Sequence, residues 1–160
     1  DDVRTIVEAA KYYPEGERGV SLFTRNHSYS AENYEKKMKF INDQVFIGVL
    51  IEGGEGINNI EQICCVEQLD MVYVGIYDIT QYLGIPGEVR NQKVITLLTD
   101  IAQLAKSHGL AVGSVAPDQD YVRLLLKSGY DFISYLPDSA VLFSYYEELT
   151  KAFRNEAGSK

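Results

Sequence analysis

Residues 45–51, Val-Phe-Ile-Gly-Val-Leu-Ile, form a short, continuously apolar run rich in β-branched side chains. A run that brief and unalternating suits a parallel strand covered on both faces. Similar runs recur at residues 71–75, 110–115 and 132–136. Between and after them lie helical patterns at residues 57–66, 78–83, 93–108, 118–127 and 139–154, the third ending at Gly109 and the fourth near Gly129. Glycine suits the left-handed position that closes a helix. Strands alternating with helices predict a parallel sheet with right-handed crossovers.

Ahead of this series, residues 5–13 read as a helix with Ile6, Ala9 and Ala10 on one face. Pro14, Gly16 and Gly19 break it. Ser30 is the expected N-cap of a second helix to about Asn42, with Tyr34, Met38 and Ile41 at helical spacing. The polar tail, residues 155–160, is expected to fray.

The chain has 160 residues and no linker or low-complexity stretch, so residues 1–160 are expected to form a single domain. A full (β/α)8 barrel takes about 250 residues. The expected fold class is therefore α/β, with parallel βα repeats forming about half of a (β/α)8 TIM-type barrel. A small doubly wound sandwich is the alternative closure.

A net charge of −8 argues against nucleic-acid and anionic-membrane partners, which need a basic face. No signal peptide and no apolar run of about 20 residues is seen, which gives a cytoplasmic expectation. Cys64 and Cys65 are adjacent on a helical pattern and point about 100° apart. They are expected to be buried free thiols, not a disulfide or a zinc site.

In parallel α/β folds the working residues follow the C-terminal ends of strands. That rule selects Glu52-Gly53-Gly54-Glu55-Gly56, Gly75-Ile76-Tyr77-Asp78, Ser114-Val115-Ala116 and Asp138. Glu52 and Asp78 follow adjacent strands, so their carboxylates can converge. Paired carboxylates repel unless a proton or cation lies between them, and Mg²⁺ or Mn²⁺ suits such hard ligands, with Co²⁺ a further candidate. Asp78 is equally open to reading as the N-cap of its helical turn, and Asp138 as the cap of the last helix. The glycines after Glu52 lack a dinucleotide-fingerprint glycine at Asn59 and lack a Walker lysine. His108 reads as a structural cation at a helix C-terminus. His27 lies in a polar loop with no partner nearby in sequence. Phe143, Tyr145 and Tyr146 read as a packing or subunit-contact cluster.

Tyr13-Pro14-Glu15-Gly16-Glu17-Arg18-Gly19, Leu50-Ile51-Glu52, Asn58-Asn59-Ile60-Glu61-Gln62-Ile63 and the run from Leu69 through Gly75-Ile76-Tyr77-Asp78 to Thr80 follow one another in order. With Leu83-Gly84, the glycine-led stretch at 109–113 and Gly129-Tyr130-Asp131-Phe132-Ile133, this series resembles the HpcH/HpaI aldolase family from about residue 5 to about 150. The resemblance implies a (β/α)8 barrel that makes or cleaves 2-keto-4-hydroxy acids through a pyruvate enolate. It implies Glu52 and Asp78 as ligands of a divalent metal. It also implies that backbone amides of Gly75, Ile76, Tyr77 and Asp78 receive the pyruvate carboxylate and that Val115 lines the substrate pocket.

Three departures bear on activity. Leu50 stands where the family has glutamine, and Tyr77 brings bulk to the stretch that usually reads Gly-Pro-Ala-Asp. The matching region begins after the family's fourth strand, so its catalytic histidine and pyruvate-gripping arginine have no counterpart here. Catalytic base work is assigned to no residue. Three readings follow: a carbon–carbon lyase present as a partial barrel, strands 5 to 8; a non-catalytic half-barrel module that pairs with another chain; or an unrelated doubly wound domain. Both half-barrel readings leave open sheet edges. They call for a second chain completing the barrel or a homo-oligomer, with pyruvate or another 2-keto acid as the small-molecule partner.

Overall fold

In the computed structural model, which describes residues 1–158, each of the four apolar runs becomes a strand: β1 Gly48–Ile51, β2 Met71–Val74, β3 Ala111–Ala116 and β4 Phe132–Tyr135. They pair in the order β1-β2-β3-β4, and every pair is parallel. The helices are α1 Asp2–Ala10, α2 Tyr34–Gln44, α3 Gly54–Asn58, α4 Ile60–Cys64, α5 Ile76–Tyr82, α6 Gln92–Ser107, α7 Gln119–Lys127 and α8 Asp138–Glu156. A 3₁₀ turn occupies Arg25–His27. None of the described helices is long and apolar enough to cross a membrane. Of the tail expected to fray, Asn155 and Glu156 close α8, and residues 159–160 lie outside the described residues.

Strand order equals chain order, so no switch point exists at which helices could change sides. Right-handed crossovers then place successive helices on one side of the sheet. Burial agrees. Val49, Ile51, Val72, Val74, Val112 and Ala116 are buried against the helices, in a core with Leu98, Ile101, Ala102, Ala105, Tyr121 and Leu125. The doubly wound alternative is thereby excluded. The sequence expectation that β1 is covered on both faces is also corrected, because its residues alternate between exposed and buried. Leu50 is 54% exposed and Phe132 53%. Their face is the concave one, which a closed barrel fills from its remaining strands.

The open face still carries some order of its own. Gly113 admits two neighbouring side chains: a β-carbon there would stand 2.8 Å from the Tyr73 ring and 3.2 Å from the Met71 sulfur. Tyr73 crosses β3 to hydrogen-bond the Ser134 hydroxyl and meets Phe132 edge-on, with centroids 6.2 Å apart.

Several local readings change. The helix expected over residues 57–66 is two short helices divided at Asn59, whose φ of −105° and ψ of 12° leave the helical region. The Asn59 amide donates to the Glu55 carbonyl at 2.8 Å, a local bond that competes with helix continuation. Cys64 is buried but Cys65 is exposed, so only one thiol meets the expectation. His27 is fully buried and has a partner after all: its Nε2 lies 3.2 Å from the Tyr12 hydroxyl. The α2 N-cap is Asn33, not Ser30. Phe143, Tyr145 and Tyr146 are all exposed on α8.

Candidate functional site

The site is built where β1, β2 and β3 end. Ile51 pairs with Val74, and Val74 with Ser114. One residue further along each strand therefore brings Glu52, Gly75 and Val115 to the same level. Gly75 donates its N–H to the Ile51 carbonyl at 2.9 Å, tying the β2 exit to the β1 exit. A β-carbon on Gly75 would stand 2.9 Å from the Glu52 β-carbon and 3.3 Å from its Oε2. The Glu52 carboxylate thus occupies the space that only glycine leaves free at position 75. Glu52 itself is exposed, and among the described residues its carboxylate accepts no protein hydrogen bond.

Gly75 also caps α5, whose position is set by Ile76 and Ile79, both fully buried. The buried Thr80 hydroxyl donates to the Tyr77 carbonyl at 2.6 Å and accepts from the Gly87 N–H at 2.8 Å, fastening the turn to the loop beyond it. Asp78 sits in the first turn of α5, so the N-cap reading is corrected: the cap is Gly75. The Asp78 carboxylate is exposed and accepts from the Gln81 amide at 3.3 Å. A carboxylate in a first helical turn complements the helix dipole.

The remaining candidates divide. Val115 is half-buried on the open face at the level of Glu52, whereas Tyr77 is 48% exposed beside Asp78. Gly54 does not admit a ligand, because a β-carbon there would collide with the Tyr82 ring. Asp138 is the first residue of α8, behind Pro137 as the cap, and accepts from the Ser139 N–H at 2.7 Å. Among the described residues, no group of three or more His, Cys, Asp or Glu side chains is arranged to hold a metal ion.

One pair at this end of the sheet escaped the sequence reading. Arg90 reaches Asp118 at 2.5 Å and lies over the Tyr121 ring, 5.7 Å from its centroid. Asp118 also caps α7 by accepting from the Tyr121 N–H at 2.9 Å. The Arg90 hydrogen bond, helped by that N–H, holds the Asp118 carboxyl below its ordinary range. The bridge joins the loop between α5 and α6 to the turn that follows β3. Its partners lie 28 residues apart, a separation without a sequence signal.

Four parallel strands bearing helices on one face and carboxylates at their C-terminal ends match a known family. The model for the HpcH/HpaI aldolase/citrate lyase family matches residues 1–143. The chain belongs to that family. It is 32% identical to a 5-keto-4-deoxy-D-glucarate aldolase of Klebsiella pneumoniae over 92% of this chain and 57% of the relative. It is 29% identical to a hydroxypyruvate/pyruvate aldolase of Sagittula stellata, over 89% of this chain and 55% of that protein. Among solved structures, an HpcH/HpaI aldolase from Desulfitobacterium hafniense superposes with a TM-score of 0.84 at 27% identity, covering 92% of this chain and 57% of that one. A family protein from Burkholderia cenocepacia gives 0.86 at 26% identity, covering 96% and 61%. The chain therefore spans a little over half the length of these family members, and its α/β fold is that part of their TIM-type barrel.

Proposed function

We propose that this HpcH/HpaI chain is the metal-binding part of an aldolase that acts on 2-keto-4-hydroxy acids. In this reading residues 1–160 are one domain, corresponding to strands 5 to 8 of the barrel. The observation that carries it is the Glu52 carboxylate, unbonded to protein and set over Gly75 at the junction of two strand ends.

The donor chemistry fits a hard divalent ion, Mg²⁺ or Mn²⁺, with Co²⁺ as a further candidate. Glu52 and Asp78 would hold it, and water and substrate oxygens would complete its shell. When bound, such an ion supplies Lewis acidity toward a keto oxygen. The protein's own share is placement. The amides of Ile76, Tyr77 and Asp78, in the first turn of α5, would receive a keto-acid carboxylate, as the first turn of a helix favours an anion, whereas the Gly75 N–H expected to join them is taken by the Ile51 carbonyl. Val115 and Tyr77 bound the pocket, and Tyr77 narrows it relative to a chain with a smaller residue there. Both 29%- and 32%-identical relatives named above are aldolases, which supports this substrate class.

No residue of the chain is assigned the role of base. Neither histidine belongs to the segments that follow the strands: His27 is buried against Tyr12, and His108 closes α6 ahead of β3. Turnover in this reading needs a second chain, or a further part of the barrel, to cover the exposed face bearing Leu50 and Phe132 and to supply the base. The second reading, a half-barrel binding module with a partner chain and no turnover of its own, is favoured by that same base-free site.

Deuterium exchange at the pyruvate methyl group, followed by proton NMR with Mn²⁺ present, separates the readings. Exchange that appears only when the complementary half of a family barrel is added supports the partial aldolase. No exchange in either setting supports the binding module. Exchange by this chain alone contradicts the absence of a base.

A further inference from the structure

A second cluster lies at the opposite end of the sheet from Glu52, where α4 and α6 terminate. Cys65 closes α4 and His108 closes α6. The Cys65 sulfur is 3.4 Å from His108 Nε2, and both residues are exposed. The other ring nitrogen, Nδ1, lies 3.0 Å from the Leu104 carbonyl oxygen. A carbonyl can only accept, so Nδ1 carries the hydrogen and Nε2 faces the thiol with its lone pair. A proton passed from Cys65 to Nε2 leaves an imidazolium at the C-terminus of a 16-residue helix, where the dipole favours a cation.

The neighbouring thiol behaves differently. Cys64 is buried, and burial, aided by the charge of Cys65, pushes its thiol up to about 11. Two adjacent cysteines thus divide into one that is withheld and one that is presented with a base.

We infer that Cys65 and His108 form a thiol-modification site that exchanges with low-molecular-weight disulfides. His108 Nε2 takes the thiol proton, and the Cys65 sulfur attacks one sulfur of the small disulfide. The Cys65–sulfur bond forms as the original disulfide bond breaks. The departing thiolate then takes the proton from His108, so one disulfide and one protein thiol become one mixed disulfide and one small thiol. Cys64 stays within the core and does not resolve the adduct, so the mixed disulfide persists until an external thiol removes it. The Glu52 end of the sheet takes no part.

The test uses the whole chain with oxidised glutathione at pH 7, followed by intact mass and peptide mapping. The expected result is one tripeptide adduct, on Cys65 and not on Cys64 while the chain is folded. His108→Gln, checked for an unchanged circular-dichroism spectrum, should slow the reaction at least about threefold, because the thiolate is the attacking species. As a measurement independent of that variant, Cys65 of the folded wild type should react faster than the same thiol in urea-unfolded chain. Equal rates in wild type and folded His108→Gln, an adduct on Cys64, or no advantage of the folded over the unfolded state would each overturn the assignment.

Discussion

The Glu52 carboxylate oxygen lies 3.3 Å from the point where a side chain on Gly75 would begin. Two strand ends therefore share one volume, and a glutamate from the first fills what a glycine in the second leaves empty. Gly75→Ala would place a β-carbon 2.9 Å from the Glu52 β-carbon, a backbone-proximal atom that cannot swing aside. Overpacking of this kind costs about 1–3 kcal/mol. Urea denaturation should show a loss in that range, and Mn²⁺ affinity should fall with it as Glu52 is displaced. Unchanged affinity in a folded Gly75→Ala chain would show that the close approach does not shape the site.

Asn42 is the anchor of the long segment between α1 and α2. Its side chain accepts from the Tyr12 N–H at 2.7 Å and donates to the Tyr12 carbonyl at 2.8 Å, while its own carbonyl accepts from Lys11 at 2.5 Å. Asn42→Ala leaves two buried backbone groups without partners, a loss of about 2–4 kcal/mol. A lower urea midpoint at unchanged slope is the expected signature.

Asp131 links α6 to β3. The Lys106 ammonium, together with the Val112 N–H, holds its carboxyl below the ordinary range against a smaller opposing effect of burial. The folded value is thus lower than the unfolded one of about 3.9. This contribution is present in full above about pH 4 and is lost as pH falls through the folded value. The pair is partly exposed, so screening limits the ion-pair share to about 1 kcal/mol or less. Asp131→Asn should lower the urea midpoint at pH 7, and the gap from wild type should close as pH falls through the lowered folded value. A gap that persists there would assign the effect to something other than ionisation.

Much of this was legible from residue pattern alone. The four apolar runs gave four strands, because β-branched residues in short blocks bounded by glycine suit buried parallel pairing. The α6 helix ended before Gly109, whose φ of +77° requires glycine. What stayed illegible depends on neighbours remote in sequence. The run at β1 could not show that only one face of the sheet is covered, since that depends on which elements pack against it from elsewhere in the chain. The burial of His27 rests on Tyr12, which is itself clamped by Asn42, 30 residues further along the chain than Tyr12. The difference between Cys64 and Cys65 turns on a one-residue rotation about α4 and on His108, 43 residues downstream. For the site, Glu52 and Gly75 were visible as strand-end residues, but their shared volume was visible only in the structure.

Titration of Mn²⁺ into the wild type, Glu52→Ala and Asp78→Ala tests most directly whether Glu52 and Asp78 hold a divalent ion. Each carboxylate should be worth at least about tenfold in affinity, since even residues that only support metal ligands reach that level. Folded variants that both bind Mn²⁺ as tightly as the wild type would show that the pair does not hold the ion.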